Sequence, residues 1–468
     1  MASLSERARA AVADDQLQEA LGSLTGVLRR LTRAATDDPR VAERRERAAA
    51  VRRETLADLP GWLDRLERTL RAQGTTVHRA GTADDVRKIV LGIAQAEGVE
   101  LVVKGKSMAT EEVHLNPALE AAGIEVVETD LGEYIVQLAG ETPSHIVGPA
   151  LHKRLPEITA LFSRVVGRDL PEDAEVLCAV ARQVLREKFF SAGMGITGAN
   201  FVAADTGTVV LVTNEGNGRM CSTLPRIHVV VMPVEKVIPR LADIADLVPV
   251  LTRWATGQAL TTYVTMITGP RGHGDVDGPE QLHVVFLDGG RLRLTGTAYA
   301  DMLACIRCGA CLNVCPVYRK IGGHAYDAVY SGPMGAVLTP LLSGGREGRD
   351  LPGASSLCGA CTDACPVHIP LADHLVRLRA DLRPRRRRVV WGAWARLWAR
   401  PRGYRGSTRW AGRLARLFAR HRASAATPGA DGWAASVPGA GGWAGARDVP
   451  LPAQEAFRDW WVRRGGAP

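Results

Sequence analysis

No apolar run in this chain reaches the roughly 20 residues that a membrane-spanning helix needs, so no span is expected. The N-terminus, MASLSER, lacks the apolar core of a secretory signal. A complete phosphate loop is missing too. Lys104-Gly105-Lys106-Ser107 resembles the end of one without the G-x-x-x-x-G-K-[ST] spacing, which excludes nucleotide hydrolysis by that route. Residues 193–198 are glycine-rich, but no strong strand precedes them, so no dinucleotide site is expected. Lysine is absent from residues 377–422, where sixteen arginines meet a single acid, Asp381. That segment carries +15 against a chain total of +9, leaving −6 for the remainder. The protein reads as mildly acidic with a basic C-terminal segment, which argues against a nucleic-acid binder.

Cysteine is scarce outside one region. Seven of nine cysteines fall in two runs: Cys305, Cys308, Cys311 and Cys315 before Pro316, and Cys358, Cys361 and Cys365 before Pro366. The first is the C-x2-C-x2-C-x3-C-P spacing of bacterial iron–sulfur proteins, whose fourth cysteine serves the other cluster. By that logic Cys305, Cys308, Cys311 and Cys365 hold cluster 1, and Cys315, Cys358 and Cys361 hold cluster 2. The second run is one cysteine short, because Ser355 stands where the first thiolate belongs. Three outcomes stay open for cluster 2. It is [3Fe–4S] on three cysteines, or [4Fe–4S] with Ser355, a histidine or water on the odd iron, or a partner chain completes it. Zinc needs four soft ligands per closed site and leaves the C-x3-C-P endings unexplained. Cys178 and Cys221 are poor evidence for disulfides, and iron–sulfur clusters need a reducing compartment, so a cytoplasmic protein is expected.

The rest reads as α/β. Residues 1–75 form a helical segment with Leu56, Leu59, Leu63, Leu66 and Leu70 at helical spacing. Strands are expected at 100–103, 124–127, 208–212, 227–232 and 282–287, and helices at 84–97 and 172–190. Asn116 reads as the cap of a short helix starting at Pro117, and a further helix starts around Val237 and Pro239. Alternation of strand and helix implies a mostly parallel sheet. Loops after its strands are the usual ligand positions, which places Lys104, Lys106 and Ser107 there. The loop of residues 213–219 follows an apolar strand and lets backbone approach a ligand. Asn200, Thr206, Glu215, Asn217 and Arg219 are the candidates for a polar pocket, with Arg219 suited to a carboxylate; a purely structural role is the competing reading. His324 is a candidate neighbour of cluster 2 or a structural side chain. Residues 385–388 open two basic helices. One bears Trp391, Trp394 and Trp398, and the other Trp410, Leu414, Leu417 and Phe418. Both suit an anionic membrane face or a partner, and simple packing on the cluster domain is the competing reading. Residues 424–445 read as a linker.

Together these residues resemble the lactate utilisation protein B family, iron–sulfur subunits of bacterial L-lactate oxidation. The resemblance rests on KSMATEEVHLN at 106–116, ETDLGE at 128–133, PSHI at 143–146, GITGANF at 195–201, NEGNGR at 214–219, ATGQ at 255–258 and both cysteine regions. It departs at Asp327, where glycine is more usual. The resemblance implies a lactate-utilisation (LUD) domain at 76–297, with a fold similar to CoA transferases and sugar-phosphate isomerases. A mainly helical ferredoxin-like domain at 298–384 and a basic helical extension at 385–468 follow. It also implies two [4Fe–4S] clusters and companion subunits; the residues do not name the electron acceptor, and it is the basic C-terminal helices that suit peripheral contact with the inner membrane face of a cytoplasmic protein. The alternative from another class is acyl or CoA transfer with Glu215 as nucleophile and structural or sensory clusters, which rests on fold analogy alone.

Overall fold

Four helices open the chain, each started by a side chain that accepts from free N–H groups of the first turn. Ser3 caps α1 (Leu4–Ala13), Asp14 caps α2 (Asp15–Thr36), Asp38 caps α3 (Pro39–Ala57) and Asp58 caps α4 (Leu59–Ala72). Leu59, Leu63, Leu66 and Leu70 form the buried stripe of α4. The computed structural model describes residues 2–382, 385–417, 433–434, 449–450, 453 and 455–466. It divides into two compact units, Met1–Leu382 and Arg383–Pro468.

The helices lead into alternating elements: β1 (Thr76–Ala80), α5 (Ala83–Ala96), β2 (Leu101–Lys104), α6 (Met108–Glu112), α7 (Leu115–Ala121), β3 (Glu125–Glu128), α8 (Leu131–Ala139), α9 (Leu155–Val166), α10 (Ala174–Ser191) and β4 (Met194–Thr197). Next come β5 (Phe201–Ala203), β6 (Thr208–Thr213), α11 (Asn217–Thr223), β7 (Ile227–Pro233), β8 (Val237–Ile238), α12 (Ile244–Thr256), β9 (Tyr263–Ile267) and β10 (Gln281–Leu287). Six strands form an all-parallel sheet in the order β1-β10-β7-β4-β2-β3. Layers cover both of its faces, so β7 is buried at every residue and its sequence runs almost unbroken apolar. A second sheet, β8-β5-β6-β9, lies on the same core.

Two local expectations change, and the glycine-rich stretch finds a packing role. Val237 and Ile238 pair with β5 as a strand, and the helix begins only at Ile244, because β5 takes the backbone bonds that a helix there needs. Asn116 lies inside α7, whose cap is His114 in the left-handed region, and its side chain instead donates to Glu128 at 2.7 Å. The glycines at 193, 195 and 198 have a G-x-G-x-x-G spacing, but Gly195 lies in β4 and the other two flank it, rather than forming a turn into a helix. A Cβ on Gly195 would stand 1.8 Å from the Cys221 carbonyl oxygen, so this glycine lets α11 press on the strand.

The cysteine region adds α13 (Ala310–Val314), α14 (Tyr318–Ile321), α15 (Gly332–Leu342), α16 (Ala360–Asp363) and α17 (Leu371–Asp381). One continuous apolar core runs from Leu66 and Val210 in the α/β layers to Leu312, Val337 and Leu375 here. The second unit contains α18 (Arg385–Trp398), α19 (Pro401–Leu417), a two-residue ladder of β11 (Trp433–Ala434) with β12 (Val449–Pro450), and α20 (Phe457–Arg463). Trp391 meets Trp394 edge to face at 5.3 Å, Trp398 lies tilted against Trp394 at 4.5 Å, and all three stay more than one-third exposed. Phe418, and residues 424–445 apart from 433–434, lie outside the described residues. No helix among the described residues is long and apolar enough to cross a membrane.

Lys104, at the end of β2, has no exposed surface. Its ammonium lies 2.8 Å from Glu128, 3.0 Å from Glu111 and 2.9 Å from Thr110 Oγ1. One buried cation thus gathers three carboxylates, since Glu133 joins the same cluster. Burial, then the Glu128 charge, push the Glu133 carboxyl up from 4.5 to about 8. Between those values the folded chain keeps a proton that the unfolded chain has released, so this group costs stability as pH rises across the window and nothing below it. The melting temperature is expected to fall from about pH 5 to pH 8. Glu133→Gln should flatten that decline; an unchanged slope would contradict the assignment.

Candidate functional site

The two cysteine runs share one backbone course. In the first, Arg307 adopts φ 62° between Cys305 and Cys308, then Gly309 adopts φ 77° and starts α13, which carries Cys311. In the second, Leu357 adopts φ 56° before Cys358, then Gly359 adopts φ 83° and starts α16, which carries Cys361. Each left-handed residue turns the chain so that successive thiols face the same side. Ser355 occupies the place that Cys305 has in the first run. Its Oγ accepts the Leu357 N–H at 3.1 Å.

The sulfurs fall into two groups. Cys305, Cys308, Cys311 and Cys365 line one cavity, walled by Met302, Leu312, Met334 and Ile369. The Cys311 thiol is disfavoured as an anion first by burial, then by Cys305, Cys308 and Cys365. Cys361 interacts instead with Cys315 and Cys358. Burial pushes Cys361 and Cys365 up to about 11, and Cys308 rises further for the same reason. Crowded, buried thiols of this kind ionise when a cation is bound among them, and thiolates are the ligands that iron–sulfur clusters require. Backbone donors already point at sulfur: Tyr318 N–H at Cys315 and Ile369 N–H at Cys365, both 3.4 Å. Ala310 and Ala360 do the same for Cys308 and Cys358. The donor set and its surroundings fit such a group. Of the seven clustered cysteines Cys358 alone is exposed, and its thiol is lowered by the Ser356 hydroxyl, then by the Ala360 N–H. His324 is spent elsewhere, donating Nε2–H to the Thr142 carbonyl at 2.7 Å. Asp327 takes φ 51°, the conformation that a glycine adopts freely.

Beside the first cysteine group lies a cavity of about 610 Å³. It opens at the C-terminal ends of β2, β4 and β7, where parallel sheets place ligands, with the end of β6 from the second sheet beside them. Lys106, Ser107, Asn200, Glu215 and Asn217 line it, whereas Lys104 faces its carboxylate cluster instead. Lys106 pairs with Asp130 at 3.0 Å, Ser107 caps α6, and Asn200 Oδ1 accepts the Val212 N–H at 2.8 Å. Glu215 accepts the Leu131 N–H at 3.3 Å, and partial burial, then Asp130, raise its carboxyl above the ordinary value. Arg219 lines a separate groove with Tyr263 and Arg271. Thr206 bonds Thr208 at 2.8 Å and is not among the lining residues of the large cavity.

Sequence reasoning missed the deeper wall, formed by Lys236, Arg307 and Tyr330. Arg307 lines both this cavity and the cysteine pocket. Glu235, fully buried, sits 2.7 Å from Arg291 Nε and 2.8 Å from Arg307 Nη2. Arg291 forks onto Glu112 at 2.8 and 2.6 Å, and Tyr330 donates to the same carboxylate at 2.6 Å. Arg52 donates to the carbonyls of Glu235, Val237, Leu303 and Ala304. Against burial, Arg291 and Arg307 hold the Glu235 carboxyl below its ordinary value. Burial, then Arg307, push Lys236 down to about 8. The signal was present: Glu235-Lys236 are adjacent charges in an apolar stretch from 227 to 238.

Residues 63–287 match a model of the LUD domain, 301–369 a 4Fe-4S dicluster domain, and 369–466 the C-terminal region of lactate utilisation protein B. Lactate utilization protein B of Geobacillus kaustophilus is 42% identical over 91% of this chain and 90% of its own length. The Bacillus subtilis protein of the same name is 41% identical over 95% and 93%. The chain belongs to the lactate utilisation protein B family. A further relative, the uncharacterized electron transport protein YkgF of Escherichia coli, is 46% identical over 72% of this chain and 71% of its own. A solved DUF162 family protein from Deinococcus radiodurans covers 49% of the chain at 13% identity and a TM-score of 0.29, too low to bear on the fold. The dicluster match spans all seven clustered cysteines and supports iron–sulfur clusters in this protein, and the relatives support a role in lactate utilisation.

Glu235→Gln leaves Arg291 and Arg307 buried without their shared counter-charge, so a loss of about 3–5 kcal/mol is expected. Tyr330→Phe removes one hydrogen bond and should cost about 1 kcal/mol. Urea-unfolding midpoints check both, and a Glu235→Gln midpoint equal to the wild type refutes the first.

Proposed function

We propose that this chain is the electron-transfer subunit of an L-lactate oxidation system. Lactate becomes pyruvate there, and its two electrons pass singly through two [4Fe–4S] clusters. The observation that carries this reading is the division of seven thiols into two adjoining groups, one enclosed beside the large cavity and the other reaching solvent at Cys358. In this reading Cys305, Cys308, Cys311 and Cys365 hold the first cluster. Cys315, Cys358 and Cys361 hold the second, with Ser355 as the oxygen donor at the position of the eighth cysteine. When bound, the clusters supply one-electron chemistry whose potential depends on hydrogen bonds to sulfur and on burial. The chain's own part is to aim the Ala310, Tyr318, Ala360 and Ile369 N–H groups at those sulfurs and to set Arg307 beside the first group. Companion lactate-utilisation subunits and a separate acceptor complete the system. The exposed tryptophans of α18 support peripheral contact with the inner membrane face of a cytoplasmic protein.

Addition of L-lactate to the anaerobic, iron-loaded chain with its companions is expected to bleach the iron–sulfur absorbance. Clusters that dithionite reduces but lactate does not would sink this reading. For the second cluster, mild oxidation of the wild type should release one iron and give a [3Fe–4S] electron paramagnetic resonance signal. Ser355→Cys should suppress that signal; an identical signal in the variant argues against position 355 as a ligand.

A further inference from the structure

Where the sheet faces the first cysteine run, cationic side chains outnumber carboxylates, and several polar side chains lack a hydrogen-bond partner beyond the thiols. Arg52, Lys236, Arg291 and Arg307 bring four positive charges, against Glu112 and Glu235. Arg291 uses both carboxylates, Arg52 four backbone carbonyls, and Arg307 one oxygen of Glu235. Lys236 is only 8% exposed, yet no side-chain hydrogen bond or ion pair joins it to any described residue. Glu235 and Cys305 are near enough to favour its charge without pairing with it. Arg307 Nη1 is also buried without a partner. Asn217, 5% exposed, likewise has no side-chain partner among the described residues. These three unmatched groups line the same cavity. A buried cation without an anion is costly, so such a constellation persists where an anion binds.

The cavity is graded. Lys236, Asn217 and Thr197 are buried, while Asn214, Glu215 and Gln258 at the other end are exposed. The inner end is therefore cationic and enclosed, and the remaining volume is its mouth. Two cations suit one carboxylate, and an amide offers a donor and an acceptor to an oxygen on the adjacent carbon. Glu215 at the mouth disfavours acids with a second negative charge.

We propose that Lys236, Arg307 and Asn217 bind a small 2-hydroxy- or 2-oxo-monocarboxylate at the wall that this cavity shares with the pocket of Cys305, Cys308, Cys311 and Cys365. The inference rests on the electron-transfer reading for the identity of the acid, and it makes this chain the place where the acid sits. Ile146 and Val147 line the cavity, and a Cβ on Gly309 would meet them at 3.0 and 3.3 Å, so little separates ligand from cysteine loop.

The test uses the full-length, anaerobic, iron-loaded protein without companions, titrated calorimetrically with L-lactate and pyruvate, and with 1,2-propanediol as the uncharged control. Saturable binding of the acids and none of the diol is expected. Lys236→Met should weaken binding at least tenfold with iron content unchanged, and Asn217→Ala should weaken it less. Arg219→Ala, in the separate groove, should bind as the wild type does. If Lys236→Met fails to load iron, Lys236→Gln replaces it. No binding by the loaded wild type, equal binding by the Lys236 variant, or equal binding of the diol overturns the site. Bleaching by lactate with companions, but no binding by this chain alone, removes the site and leaves electron transfer standing. Binding without bleaching keeps the site and removes electron transfer.

Discussion

The ion pairs of Glu235 hold the two halves of the first unit in register. Glu235 follows the central strand β7, and its carboxylate meets Arg291 from the α/β layers and Arg307 from within the first cysteine run. With no exposed side-chain surface, it screens neither guanidinium through water. Removal of either charge strands the other in a low dielectric, so the pairs tolerate little displacement. Because Arg307 is both a partner of Glu235 and a wall of two cavities, this constraint brings a ligand-sized space against a thiol pocket.

The same pair bears on backbone strain. Arg307 and Leu357 occupy equivalent left-handed positions, which side chains other than glycine adopt at a cost of about 1–2 kcal/mol. Arg307 is held there by Glu235 and by the Tyr330 ring 5.0 Å beneath its guanidinium. Leu357 is exposed. The two runs therefore present one ligand geometry in two settings, a fixed one against the core and a looser one at the surface. Cysteine at 305 and serine at 355 follow that division.

The arrangement gives the first unit a direction. A polar cavity at the strand ends leads to enclosed thiols, then to a group with one sulfur at the surface. One apolar core spans all three, so their spacing is set by packing rather than by a hinge. The second unit contributes exposed tryptophans on a basic helix, a composition suited to an interface.

The cysteine spacing and the repeat with Ser355 were legible because metal ligation imposes short, fixed intervals on the chain. The parallel sheet was legible because burial on both faces demands apolar runs. Asn200, Glu215 and Asn217 were legible as cavity residues because ligands gather at loops after strands. Arg219 was not separable from them: a helical turn at Asn217–Thr223 sends neighbours to different faces, and that turn depends on Gly195 yielding space to Cys221. Asn116 and Val237 went to other tasks because Glu128 and β5, distant in sequence, outcompeted the local choice. The pairing of Glu235 with Arg291 and Arg307, and the unmatched charge of Lys236, belong to tertiary structure alone. Charge balance is a property of what meets in space, and these residues lie 56 and 72 positions from Glu235 or one step beside it.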